Sequence, residues 1–194
     1  MPHDDDEMGA HPVLTGRDFD KSDRPTLLGS CARAATAAEA RYRVPYPNSA
    51  TRSSRIFALD GGAAEAMYAI TEEPWADAHF LTVTPSAEID PERTGANDLP
   101  LSQPDGTPAR LSDEIAGADV VVLLASTGQN VGAAEVIARE AFNRKIMLAG
   151  LALGGGLSGA EVTRVVNTLR PFATVLVVAQ DNDFVPAMLT ALRA

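Results

Sequence analysis

The sequence predicts an α/β domain with a three-layer, Rossmann-like arrangement, in which helices cover both faces of a mostly parallel sheet of about five strands. Three observations lead to this fold class. Short, unbroken apolar runs, which are typical of parallel strands buried on both faces, recur along residues 55–194. Polar or glycine-containing turns follow these runs, and segments with helical periodicity follow the turns. Helical crossovers of this length imply a doubly wound, parallel sheet.

The composition excludes several classes of partner. The chain has 194 residues, 45% of them hydrophobic, which is enough for one domain with a substantial core. Lys and Arg total 16 against 26 Asp and Glu, so neither nucleic acid nor an anionic membrane is expected as a partner. No apolar run reaches the roughly 18 residues of a membrane-spanning helix. The single cysteine and the acidic N-terminus predict the cytoplasm.

The N-terminal part of the chain is predicted to lie outside the α/β domain. Residues 1–26 mix charges, Gly and Pro without periodicity, as expected for a flexible acidic tail. The carboxylates of residues 4–7 are interpreted as solvated rather than as a metal site, because nothing rigid holds them together. Residues 27–54 predict an Ala-rich helix and a Pro-containing linker. Cys31 is interpreted as a small packing residue, the alternative being a nucleophile.

The first predicted strand is the apolar run RIFAL at residues 55–59. A tight turn with two glycines follows, and the small and apolar residues of 63–70 predict a helix. The second strand is predicted at residues 79–84 (HFLTVT), and His79 at its start is interpreted as a structural histidine. Residues 85–109, rich in Pro, Gly and Asp, predict a long connection over the edge of the domain.

The central predicted strand is residues 119–124, in the stretch GADVVVLLASTGQNVGAAEVIA. Ser112 is expected to cap a short helix ahead of it. A polar turn and a helix at 132–143 follow it, and the next strand is predicted at 146–151.

Ser158 and Glu161 match a capping box, which predicts the start of another helix. The last strand (ATVLVV) is predicted at 173–178 and the last helix at 184–192. The strand residues expected in the core of the sheet are Val121, Leu123, Val175 and Val177.

The turns at the carboxyl ends of the strands are the expected ligand site, as in other doubly wound sheets. The candidate binding residues in them are Gly61, Gly62, Ser126, Thr127, Gly128, Asn130 and Gly132. Neither the G-x-G-x-x-G fingerprint nor the P-loop pattern is present. Glu65, near a helix start, would repel a phosphate and satisfy the same amides. No Ser-His-Asp, Cys-His or zinc spacing appears, so no catalytic or metal-binding residue is predicted.

Three segments resemble the nucleotide-binding domain of the tubulin/FtsZ cell-division GTPases. RIFALDGGAAEAMYAI is similar to that family's first strand and glycine-rich loop, and GADVVVLLASTGQNVGAAEVIAREAFNRKIMLAGLAL to its central strand, signature loop and helix. LRPFATVLVVAQDND is similar to a later strand that ends in Asn-Asp, which makes Asn182 a further candidate for nucleotide binding. The resemblance covers roughly residues 55–190 and implies a guanine nucleotide as the ligand.

The departures from that family predict a degenerate, non-catalytic site. The family's signature loop GGGTGTG is replaced by STGQNVG, which keeps only Gly128 and Gly132 as glycines. The acidic loop that completes GTP hydrolysis and the second domain have no counterpart in the sequence. The leading hypothesis is therefore a domain that acts through protein–protein assembly, as a homo-oligomer or with another protein. Two alternatives stay open: a nucleotide or small-molecule regulator, and an enzyme that uses residues 85–109 or Asp181 and Asp183.

Overall fold

The computed structural model describes residues 50–84, 89–155, 157–180 and 183–194. These residues form an α/β fold with a mixed seven-stranded sheet. Its strands are β1 (Ser54–Ala58), β2 (Ala78–Val83), β3 (Leu101–Ser102), β4 (Pro108–Ala109), β5 (Val120–Ala125), β6 (Met147–Leu153) and β7 (Val175–Ala179). The helices within the described residues are α1 (Gly61–Tyr68), α2 (Leu111–Ile115), α3 (Val131–Asn143), α4 (Gly159–Leu169) and α5 (Phe184–Leu192). None of these helices is long and apolar enough to cross a membrane.

The strand order of the sheet is β4-β3-β2-β1-β5-β6-β7. The five longer strands pair in parallel, as the apolar runs predict. The two short strands β3 and β4 pair antiparallel at one edge, next to β2. They arise from residues 85–109, for which only a long connection is predicted. Strands of two residues are too short to produce a periodic signal.

Helices pack against both faces of the sheet, and the strand residues alternate between the two faces. In β5, Val121 and Leu123 contact the core cluster that includes α3 and α4, and Val122 and Leu124 contact the cluster that includes α1 and α5. All six residues of β5 are buried, as expected for a central parallel strand.

The prediction that Val175 lies in the core is wrong. Val175 is 43% exposed, whereas Val121 and Leu123 are fully buried. Among the described strands β7 pairs only with β6, so it forms the edge of the sheet. Val177 is half-buried and packs against the α1/α5 side of the core.

The helix starts are confirmed in one case and corrected in another. Ser158 and Glu161 form the predicted capping box at the start of α4. The predicted cap by Ser112 is wrong, because Arg110 precedes α2 and no side chain caps that helix. The Ser112 hydroxyl instead donates to the side-chain oxygen of Asn97. The predicted tail 1–26 and the helix after it fall on residues before 50, outside those described.

Candidate functional site

The candidate site lies where the chain changes direction across the sheet. From β1 the chain continues to β2 on one side and later to β5 on the other, so the crevice beyond the carboxyl ends of β1 and β5 is the topological switch point. The turn after β1 contains Asp60 and leads into α1. The turn after β5, residues 126–130, leads into α3. These are the two turns in which most candidate residues were predicted.

The two turns are joined by the carboxylate of Asp60, which accepts five hydrogen bonds. The Ala63 N–H donates to Oδ1 at 3.0 Å. The Ser126 and Thr127 N–H groups both donate to Oδ2 at 2.9 Å. The hydroxyl of Ser126 donates to Oδ1, and that of Thr127 to Oδ2 at 3.2 Å. Asp60 is 5% exposed, so its carboxylate is held inside the protein.

The donors around Asp60 form what we call the amide cradle: the N–H groups of Ala63, Ser126 and Thr127 and the hydroxyls of Ser126 and Thr127. Converging N–H groups at a helix N-terminus and an adjacent turn are the usual means by which α/β proteins hold a phosphate. Here the cradle holds a carboxylate of the same chain. The carboxylate predicted to satisfy such amides was Glu65, but Glu65 is exposed on α1 and Asp60 has that position.

The two glycines after Asp60 have different surroundings. A Cβ on Gly62 would lie 2.4 Å from the Ser126 hydroxyl, so this glycine allows α1 to approach the second turn. A Cβ on Gly61 would meet nothing within 4 Å. Gly62 therefore contributes to the contact between the two turns, and Gly61 faces open space.

The remaining candidates in the second turn also contact the protein itself. Asn130 adopts a left-handed backbone (φ 59°), and its side-chain amide donates to the Leu59 carbonyl at the end of β1. A Cβ on Gly132 would lie 1.9 Å from the backbone oxygen of Ile89, a contact that excludes any larger residue. These contacts fix the turn in place; whether the same residues also bind a ligand stays a prediction.

Gly128 lines a groove beside the second turn. The Arg164 side chain of α4 crosses Gly128 so closely that an added Cβ would lie 2.2 Å from its Cγ. The groove has a volume of about 410 Å³. Its lining residues are Gly128, Val131, Ala160, Thr163, Arg164, Asn167 and Thr168. Arg164 gives this groove a positive charge next to the candidate site.

The turns after β6 and β7 contact each other. The Gly154 N–H donates to the Ala179 carbonyl at 2.7 Å. Gly156, Asp181 and Asn182 lie outside the described residues, so the nucleotide-binding prediction for Asn182 is untested. Asp183 directly precedes α5, where an Asp is a preferred helix cap, but its side chain makes no capping hydrogen bond.

A second polar cluster lies near the opposite ends of β1 and β2. Arg55 is buried, and its guanidinium Nε donates to the Glu114 carbonyl at 2.7 Å. Arg55 also approaches the carboxylates of Asp77 and Glu114 at 3.8 and 3.7 Å. His79 Nδ1 lies 2.8 Å from Glu114 Oε2, which agrees with its interpretation as a structural histidine. The cluster ties α2 to the sheet through Glu114, whose carbonyl and carboxylate contact Arg55 and whose carboxylate contacts His79.

No protein-family model matches the chain, and no curated protein does either. The resemblance to the tubulin/FtsZ GTPases therefore stays a prediction from the quoted segments.

Asp60 is not among the site residues that the sequence predicts, although it lies in the predicted turn after β1. A usable signal was present, because Asp directly before a helix start is a preferred N-cap. Its bonds to Ser126 and Thr127, 66 and 67 residues later, have no signature in the sequence.

Proposed function

We propose that this chain is a non-catalytic domain of the tubulin/FtsZ kind with a degenerate nucleotide site, and that it acts by assembling with protein partners, copies of itself included. The observation that carries the proposal is the position of the Asp60 carboxylate in the amide cradle. A nucleotide phosphate in the same place would have to displace a buried anion that accepts five hydrogen bonds. Two anions cannot share these donors, because each would repel the other.

The close contacts of the glycines support the same proposal. In a phosphate-binding loop, glycines leave room for the ligand to approach the backbone. Here Gly62 leaves room for Ser126, and Gly132 for the Ile89 carbonyl. The space beside both glycines is therefore filled by other atoms of the protein and not by a ligand.

The edge strand β7 supports the part of the proposal that concerns assembly. Val175 and Val178 are 43% and 40% exposed on a strand that has no charged residue. The other edge strand, β4, is two residues long and contains Pro108, both of which discourage edge pairing. Within the described residues β7 has no such protection, and an unprotected apolar edge is a usual place for strand pairing between chains.

The assembly is tested by measuring the molar mass by light scattering across micromolar protein concentrations. We expect a defined oligomer for the wild type and a smaller species for Val178→Lys, because a lysine on the edge opposes pairing. Phe142→Lys is the matched control, since Phe142 is 81% exposed at the end of α3. A monomer at every concentration, with no difference among the three proteins, contradicts assembly by self-association.

A small-molecule regulator is the second candidate, and the groove beside Gly128 favours it. The groove combines the Arg164 guanidinium with exposed Thr163 and Asn167, a set that suits an anionic, hydrogen-bonding ligand. Titration with inorganic phosphate, followed by NMR of the backbone amides of α4, tests this candidate. A saturable shift that Arg164→Gln abolishes would favour it over assembly.

A further inference from the structure

The amide cradle contains enough hydrogen-bond donors to bind a small oxyanion. It presents three N–H groups and two hydroxyls to one point, and each of these five donors contacts the Asp60 carboxylate. The donors come from two segments, the start of α1 and the turn after β5. A single helix N-terminus would offer only the Ala63 group.

Other contacts hold the cradle in shape besides the bonds to Asp60. The Asn130 side chain donates to the Leu59 carbonyl, and the Leu59 N–H donates to the Leu124 carbonyl at 2.9 Å. The backbone at Gly132 packs against the Ile89 carbonyl. These contacts connect the second turn to β1 and to the segment before β3. We therefore expect the donors to stay close to their positions when the carboxylate is removed.

We infer that the amide cradle is an oxyanion site that Asp60 occupies from within the chain, and that a small external oxyanion binds there once the Asp60 carboxylate is replaced. The inference rests on the proposed function, in which the wild-type site is closed. In the wild type an external anion would have to compete with the Asp60 carboxylate for the donors of the cradle. Because Asp60 is part of the chain, its effective concentration at the cradle is about millimolar or more. In Asp60→Gly that competitor is gone, and the volume of the Asp60 side chain is left for the external anion.

The experiment compares the thermal unfolding of the wild type, Asp60→Gly and Asp60→Ser in sodium formate, inorganic phosphate and sodium chloride at equal ionic strength. Asp60→Ser keeps a hydroxyl that can cap α1 through Ala63 but lacks the oxygen that holds Ser126 and Thr127. Asp183→Ser is the matched control, because Asp183 also precedes a helix but its side chain makes no capping bond.

We expect formate to raise the melting temperature of both Asp60 variants by about 3 °C or more above the chloride reference, with no such rise for the wild type or Asp183→Ser. A rise with phosphate as well shows that the cradle accepts a tetrahedral anion, and a rise with formate alone shows a preference for a carboxylate. NMR shifts of the Ser126 and Thr127 amides should saturate over the same concentrations.

Folded Asp60 variants that respond to formate no more than the wild type overturn the inference. Variants that are unfolded in chloride and are not recovered by either anion overturn it too. Neither result touches the proposed function, which fails separately if the wild type itself binds nucleotide or does not assemble.

Discussion

Asp60 and Ser126 form a two-point contact across the switch point: one carboxylate accepts both the backbone N–H and the hydroxyl of a residue 66 positions later. The contact joins the start of α1 to the turn before α3. A buried carboxylate with this many donors is stabilising only while its donors stay in place, because an unpaired buried group is costly. Asp60 is therefore expected to be important for stability as well as for closing the site.

Replacing Asp60 with Asn is expected to lower the free energy of unfolding by about 2–4 kcal/mol. An amide has one oxygen acceptor and one NH₂ donor, so its NH₂ would face N–H groups that need an acceptor. Urea denaturation measures the difference. Asp183→Asn, at an exposed position without a side-chain cap, should stay within about 0.5 kcal/mol of the wild type. Equal effects of the two changes would contradict the role given to Asp60.

Gly132 and Gly61 provide a matched pair of alanine substitutions in helices. Gly132→Ala places a Cβ 1.9 Å from the backbone oxygen of Ile89, and we expect a loss of about 2 kcal/mol or more. Gly61→Ala meets nothing within 4 Å and should be neutral or stabilising by up to about 1 kcal/mol. Chemical denaturation measures the free energy of unfolding of both variants and so tests the predicted difference. A destabilisation by Gly61→Ala as large as that by Gly132→Ala would show that the contact with Ile89 is not the cause.

The sequence predicts that Val121 and Val175 both lie in the core, but in the structure only Val121 is buried. Val121→Ala should cost about 2–4 kcal/mol through lost burial and an unfilled cavity. Val175→Ala should cost less than about 1 kcal/mol, because Val175 is 43% exposed at the edge of the sheet. Denaturant unfolding compares them. A cost below about 0.5 kcal/mol for Val121→Ala would contradict the central position of β5.

The separation of these two valines illustrates what the sequence can predict. The apolar runs gave the five parallel strands and their helices to within one or two residues, because burial and periodicity leave a local signal. Which strand lies at an edge depends on strand order, which no local pattern encodes. The same limit applies to Asp60, whose cap position is local but whose bonds to the turn after β5 are not.

The capping box of α4 makes a prediction about pH. The backbone N–H and hydroxyl of Ser158 donate to Glu161 and lower the pKa of that carboxyl below its ordinary value of 4.5. A group whose pKa is lower in the folded state stabilises the fold above its unfolded-state pKa, and this contribution is lost as the pH falls through the folded-state value.

Melting curves between neutral pH and the pKa region of Glu161 test this prediction. The difference in stability between the wild type and Glu161→Gln should be largest at neutral pH and should shrink as the pH falls below 4.5. Ser158→Ala keeps the backbone donor, which has the larger effect on the pKa, and should remove only part of the pH dependence. A difference that is constant with pH would show that the charge of Glu161 is not involved.

The most direct test of the closed site is thermal unfolding of the wild-type chain with and without millimolar GTP, GDP, ATP and NAD. A ligand that binds only the folded state must raise the melting temperature. Because Asp60 fills the amide cradle, we expect no rise with any of the four beyond that of a salt control. A rise of about 3 °C or more with a guanine nucleotide, kept in Arg164→Gln and so not due to the groove beside Gly128, would show that phosphate still enters the cradle and would contradict the proposal that Asp60 closes it.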